Sequence, residues 1–163
     1  MKAVYLCGFM GCGKSTVGKL LAEKLGCGFI DMDDYIVEKE GMKIPQIFAE
    51  KGEKYFRERE TAAIRELSEK GGVIACGGGA MLKKENAEIA AENGIVAYIE
   101  IPFEACYSRI AGDTNRPIVM SNTKEELEFI YDSRVPVYKE NSTVTVNGEG
   151  TPNEVAQRLK ELI

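Results

Sequence analysis

The chain has 163 residues, 44% of them hydrophobic and 29% charged, the profile of a globular protein with little room for global disorder. A chain of this length buries about 68–70% of the surface its unfolded form exposes, enough for one core without disulfides or a structural metal. Its 21 basic and 26 acidic residues leave a net charge of −5, so no global positive field draws it to nucleic acid or to an anionic membrane, and neither is an expected partner. There is no histidine, which excludes imidazole general-base catalysis, Ser-His or Cys-His nucleophilic machinery and every His-containing metal site. Five cysteines, Cys7, Cys12, Cys27, Cys76 and Cys106, form no C-x-x-C pair, which argues for a reducing compartment rather than a disulfide framework or zinc ribbon. The apolar stretch Ala3–Cys7 is too short for a signal-peptide core and no run reaches membrane-spanning length, so a cytoplasmic protein is expected.

In chain order, Ala3–Cys7, Phe29–Ile30, Val73–Cys76, Ile95–Ile101 and Thr143–Val146 read as strands, mostly continuous apolar runs of the kind needed when both faces are covered. Helical patterns lie over Ser15–Leu25, Asp33–Glu40, Glu53–Lys70, Lys84–Asn93, Phe103–Ala111, Lys124–Lys139 and Asn153–Leu162. Strand alternating with helix implies right-handed crossovers and a parallel sheet in one α/β domain, because no linker, repeat or low-complexity tract divides the chain. A monomer is expected, since no apolar stripe exceeds what the core needs.

Between the first strand and the first helix stands Gly8-Phe9-Met10-Gly11-Cys12-Gly13-Lys14-Ser15, which fits G-x-x-x-x-G-K-[ST]. Glycines let backbone N–H groups turn inward around phosphate oxygens while the helix presents its positive end to the same anion. Lys14 is then placed for the β- and γ-phosphates and Ser15 for Mg²⁺, which makes a nucleoside triphosphate the expected ligand. Cys12 lies near Lys14 and a helix N-terminus, surroundings that lower a thiol pKa; the motif accepts almost any residue there, and no catalytic role falls to it.

Phe29-Ile30-Asp31-Met32-Asp33-Asp34 sets carboxylates directly after the second strand, at the sheet edge where open α/β folds bind ligands. With the strand ending near Asp31, the pleat puts Asp31 and Asp33 on one side, one for Mg²⁺ and another for an acceptor hydroxyl. The cap of the following helix falls to Asp34, or is shared with Asp33. Arg57 lies beside the apolar stripe Phe56, Ala63, Ile64 and Leu67, and suits either a planar carboxylate or plain solvent exposure. Gly77-Gly78-Gly79 offers bare backbone to a substrate or is a flexible turn. Arg134 falls on an inward stripe with Leu127, Ile130, Tyr131 and Tyr138, where it faces a ligand or an internal acid. The polar stretch from Ala111 to Pro117 reads as a lid carrying Arg116, or as a surface loop.

In order, G-F-M-G-C-G-K-S-T-V-G at Gly8–Gly18, F-I-D-M-D-D-Y-I at Phe29–Ile36, G-x-x-I-x-x-I-F at Gly41–Phe48, G-E-x-x-F-R-x-x-E at Gly52–Glu60, G-G-G at Gly77–Gly79, R-P at Arg116-Pro117 and R-x-P-x-Y at Arg134–Tyr138 resemble the shikimate kinase family over nearly the whole chain. The resemblance implies transfer of the ATP γ-phosphoryl group to the 3-hydroxyl of shikimate. It also implies a single three-layer P-loop kinase domain over 1–163, similar to nucleoside monophosphate kinases, with a five-stranded parallel sheet, a substrate segment over about 33–60 and a lid over about 111–123. By the same resemblance, Asp33 binds and activates the acceptor hydroxyl, and Arg57, Arg134 and the backbone at Gly78 and Gly79 hold the carboxylate and ring. Ser15 and Asp31 serve Mg²⁺; Gly11, Cys12, Gly13, Lys14, Ser15, Thr16, Arg109 and Arg116 contact the nucleotide, with Lys14 and Arg116 catalytic beside Asp33. Where family members carry a basic residue before the last helix, this chain reads Gly148-Glu149-Gly150-Thr151-Pro152. The alternatives are a kinase of gluconate or a nucleoside monophosphate, distinguished by the acceptor, and a nucleotide-dependent binding module without turnover.

Overall fold

The computed structural model describes residues 2–112 and 116–163. Five strands form one parallel sheet: β1 (Ala3–Cys7), β2 (Phe29–Asp31), β3 (Gly72–Ala75), β4 (Gly94–Glu100) and β5 (Val144–Asn147). Their order is β2-β3-β1-β4-β5, with Val4 opposite Val73 on one side and Ile95 on the other. Every residue of β1 is buried, as a central strand covered by helices on both faces requires. The chain runs outward from β1 to the β2 edge and then to the β5 edge, so the order reverses at β1. Ligands of open α/β sheets bind at such a switch point, beyond the carboxyl ends of the strands.

Helices α1 (Lys14–Leu25), α2 (Met32–Glu40), α3 (Ile44–Lys70), α4 (Lys84–Asn93), α5 (Phe103–Ile110), α6 (Pro117–Ser121), α7 (Lys124–Asn141) and α8 (Pro152–Leu162) make the connections. Strand ends differ from the sequence expectation by a residue or two, whereas three features differ in kind. Within α3, Gly52 (φ 86, ψ 166) is non-helical and divides two helical segments, so the helix expected from Glu53 is preceded by a further one that starts at Ile44. A 3₁₀ turn over Ala80–Leu82 and the short α6 stand where the sequence indicated no helix. The expected cap on Asp34 or Asp33 belongs to Asp31, whose Oδ1 accepts from the Asp34 N–H at 3.2 Å. The strand ends at Asp31 and Asp33 lies in the first turn of α2, so helix geometry rather than the pleat sets the relation between the two acids. The expected lid over about 111–123 includes Asp113, Thr114 and Asn115, which lie outside the described residues; α6 forms part of the remainder.

The phosphate loop is anchored from below by Phe9, 1% exposed, whose ring meets Tyr131 edge-on at 5.3 Å and Phe103 at 6.2 Å. The Tyr131 hydroxyl donates to the Ile101 carbonyl at 2.5 Å, tying this aromatic cluster to the end of β4. Far from the loop, at the opening residue of β4, a Cβ on Gly94 would collide with the Ala3 carbonyl oxygen of β1. Because that obstacle is backbone, Gly94→Ala has to part β1 from β4 at this end. Urea unfolding is expected to show a loss of about 1–3 kcal/mol, with turnover little changed because the cleft lies at the opposite end of the sheet; unchanged stability would contradict this packing.

Candidate active site

The turn after β1 needs glycine for two reasons. Gly13, which precedes α1, has φ 97 and ψ 16, a left-handed conformation that costs other residues strain. At Gly11 (φ 80) a Cβ would also stand 2.6 Å from the Cys106 carbonyl oxygen, so the loop lies against α5. Lys14 folds over the loop, its Nζ donating to the carbonyls of Gly8 at 2.8 Å and Phe9 at 3.2 Å. Cys12 is buried beneath it, with Sγ 3.7 Å from Lys14 Nζ.

A cleft of about 460 Å³ opens above this loop. Gly11, Cys12, Gly13, Lys14, Ser15 and Thr16 form its floor; Asp31, Asp33, Gly77, Gly78, Arg109 and Arg116 also line it. Ser15 Oγ donates to Asp31 Oδ2 at 2.5 Å, which brings a hydroxyl and a carboxylate together at the floor. Arg109 donates to the Gly11 carbonyl at 2.9 Å. The far end is walled by Gly148, Gly150, Pro152 and Val155, so the loop that departs from the family pattern borders this cleft. The loop here carries no cation of its own, but Arg158 of α8 donates to the carbonyls of Asn147 at 2.9 Å and Glu149 at 2.5 Å and so holds its backbone.

A second, smaller cavity of about 70 Å³ adjoins the first at Asp33, Gly77, Gly78 and Arg116. Arg57, Gly79 and Arg134 line it, so the three groups expected on the acceptor side do come together. Gly79 packs so closely on the Arg57 guanidinium that a Cβ there would have to displace it. The Arg134 guanidinium lies 5.9 Å from the Phe9 ring centroid, and its Nη1 is buried with no hydrogen-bond partner among the described residues. The Tyr138 hydroxyl donates to the Gly78 carbonyl and Asn141 Nδ2 to that of Met81 at 2.8 Å, so α7 holds the glycine turn and Arg134 together. Apolar walls come from Met10, Ile44, Phe48, Phe56 and Ile118. Ile44 and Phe48 belong to the part of α3 that the sequence reading did not make helical.

Glu60 closes the Gly52–Glu60 motif, but no role was drawn for it from the sequence. It is 1% exposed, and its Oε1 accepts from Arg57 Nη1 at 2.8 Å. The signal was present in the spacing, because Glu60 sits on the stripe between Phe56 and Ile64, where a charge must be paired. Burial outweighs the pull of Arg57 and pushes the Glu60 carboxyl up to about 7. Burial, and then the charge of Asp31, also raises Asp33 above the ordinary carboxylate range, with Lys14 and Arg116 pulling the other way. A triphosphate-sized cleft thus meets a small cavity with two arginines for an anion, and an acid stands at the join.

The comparisons agree with that geometry. A family model described as Shikimate kinase matches residues 10–163. A shikimate kinase from Persephonella marina is 43% identical, over 98% of this chain and 100% of its own length. The structure of a shikimate kinase from Acinetobacter baumannii in complex with shikimate superposes with a TM-score of 0.94 at 39% identity, covering 99% of this chain and 92% of that one. A gluconokinase from Sinorhizobium meliloti shares the fold alone, with a TM-score of 0.61 at 18% identity over 99% of this chain and 93% of its own. With matches of this extent in both sequence and structure, the chain belongs to the shikimate kinase family.

Proposed function

We propose that this protein transfers the γ-phosphoryl group of ATP to the 3-hydroxyl of shikimate, giving shikimate 3-phosphate and ADP. The observation that carries this reading is the junction of the two cavities at Asp33, Gly77, Gly78 and Arg116. Phosphoryl transfer requires donor and acceptor in line and neutralisation of charge on the moving group, more than it requires a strong base.

The phosphate loop N–H groups from Gly11 to Thr16 cradle the phosphates, and the Lys14 ammonium exchanges its loop carbonyls for β- and γ-oxygens. Arg109 and the backbone at Gly148–Gly150 border the base end. The adjacent Ser15 hydroxyl and Asp31 carboxylate are oxygen donors of the kind Mg²⁺ takes and would hold it, and the bound ion would supply charge neutralisation on the phosphates. At the other end, Arg57 and Arg134 grip the shikimate carboxylate, and the backbone of Gly78 and Gly79 supports the ring. Asp33 accepts the hydroxyl proton as the new O–P bond forms and the bond to ADP breaks, while Arg116 offsets charge on the transferring group. A cytoplasmic setting agrees with five unpaired cysteines and with the absence, among the described residues, of any helix long and apolar enough to cross a membrane. A monomer remains our reading of the assembly.

ADP release from Mg·ATP, measured with shikimate, gluconate or AMP against a no-acceptor control, tests the assignment: release is expected with shikimate alone, and release with another acceptor instead would overturn it. Asp33→Asn is expected to lower turnover about 10²–10⁴-fold while ATP binding persists; loss of nucleotide affinity would show that Asp33 has a different role. Arg57→Ala should raise the KM for shikimate about 10–100-fold and leave that for ATP unchanged, whereas parallel changes in both would contradict its placement.

A further inference from the structure

Glu60 reaches the acceptor cavity with only half of its carboxylate in use. Oε1 is held by Arg57 Nη1 at 2.8 Å, whereas Oε2 is buried without a hydrogen-bond partner among the described residues. Asp33 Oδ1 is in the same condition. Both oxygens lean over Gly77: a Cβ on that residue would stand 2.7 Å from Asp33 Oδ1 and 3.1 Å from Glu60 Oε2. Two acceptors without a partner among the described residues therefore face one bare glycine, an arrangement that costs free energy as long as both acids are ionised.

The charged and titratable groups around Glu60 come from every element packed on it. Arg57 lies on its own helix α3, Asp33 approaches from α2 and Arg134 from α7, while the Cys76 thiol lies just after β3. Lys14, Arg116, Asp31 and Asp34 act on the same cluster through Asp33. Of the two cations nearest Glu60, Arg57 already holds it, and Arg134 Nη1 is the donor left for an incoming anion.

We infer that Glu60 takes up one proton when a carboxylate substrate seats on Arg57 and Arg134. This deepens the assignment of the cavity to shikimate and rests on it. The substrate carboxylate has to share the Arg57 guanidinium with Glu60, which sets a third anion beside Glu60 and Asp33, whose Oε2 and Oδ1 atoms are withdrawn from solvent. Protonation relieves that repulsion. An O–H bond forms on Glu60 Oε2 with a proton from solvent, the incoming negative charge is offset, and the new hydroxyl donates toward Asp33 Oδ1, so both unpartnered oxygens gain a partner. A Glu60 carboxyl already pushed up to about 7 is close to that transition before substrate arrives. Shikimate affinity then depends on pH through a residue that need not touch the reacting hydroxyl. Because the bound form holds the extra proton, affinity weakens as pH rises above the free Glu60 value, by up to about tenfold per pH unit.

Isothermal titration of shikimate into the full chain at about pH 8, in buffers of different ionisation enthalpy, reads the proton directly, since a free carboxylic acid is already ionised there and contributes none. The expected result is uptake approaching one proton per site, abolished in Glu60→Gln, together with the loss of affinity at higher pH flattening in that variant. Binding without proton uptake overturns the inference while leaving the acceptor assignment intact. Uptake that persists in Glu60→Gln also overturns it, by moving the proton to another group. Absence of shikimate binding to the unaltered chain removes the acceptor itself, and the inference with it.

Discussion

Most of what distinguishes this site follows from burying charge at the join between its two cavities. Asp33 Oδ1, Glu60 Oε2 and Arg134 Nη1 are all withdrawn from water without a hydrogen-bond partner among the described residues. Each such atom costs free energy that a neutral core would not. The fold sustains this because the surroundings are rigid: β1 is buried along its whole length, Phe9 anchors the phosphate loop, and Tyr138 and Asn141 tie α7 to the backbone of the glycine turn and the 3₁₀ segment after it. Groups left unsatisfied and held still are groups ready for a ligand, and the two cavities meet where they are concentrated.

The same constraint explains why glycine recurs on the acceptor wall. Gly77 leaves room for two carboxylates, and Gly79 lets the Arg57 guanidinium approach the backbone. Neither position needs an unusual φ, so the demand is for space rather than for conformational freedom. Around the phosphate loop the demand is double, because Gly11 combines positive φ with close approach to α5.

How much could be read before folding depended on how local each signal was. The phosphate loop was legible because its glycines, Lys14 and Ser15 are contiguous and lie between a strand and a helix of clear periodicity. Arg57 and Arg134, 77 positions apart by number, were readable only as candidates, since spacing cannot say whether a charge on a stripe meets a ligand or an acid; folding supplies both, with Glu60 on Arg57 and the cavity before Arg134. Glu60 was quoted in a motif without a role because glutamate on a helix is ordinarily exposed, although its place between Phe56 and Ile64 carried the clue. The helical segment ahead of Gly52 is short and meets the next one at a non-helical glycine, so its pattern was not read as a helix, and the cap was misassigned because the candidate acids Asp31, Asp33 and Asp34 look alike until the strand end is known. The motif resemblance went further than any of this, naming an acceptor that residue chemistry alone leaves open among small anionic alcohols.

The central claim is regiochemical: the proposed grip of Arg57 and Arg134 on the acceptor would bring one hydroxyl alone to Asp33 at the junction. Phosphorus NMR of the product formed from Mg·ATP and shikimate tests it most directly. The account predicts a single phosphomonoester on the 3-hydroxyl; a mixture of esters, or inorganic phosphate in place of an ester, would contradict it.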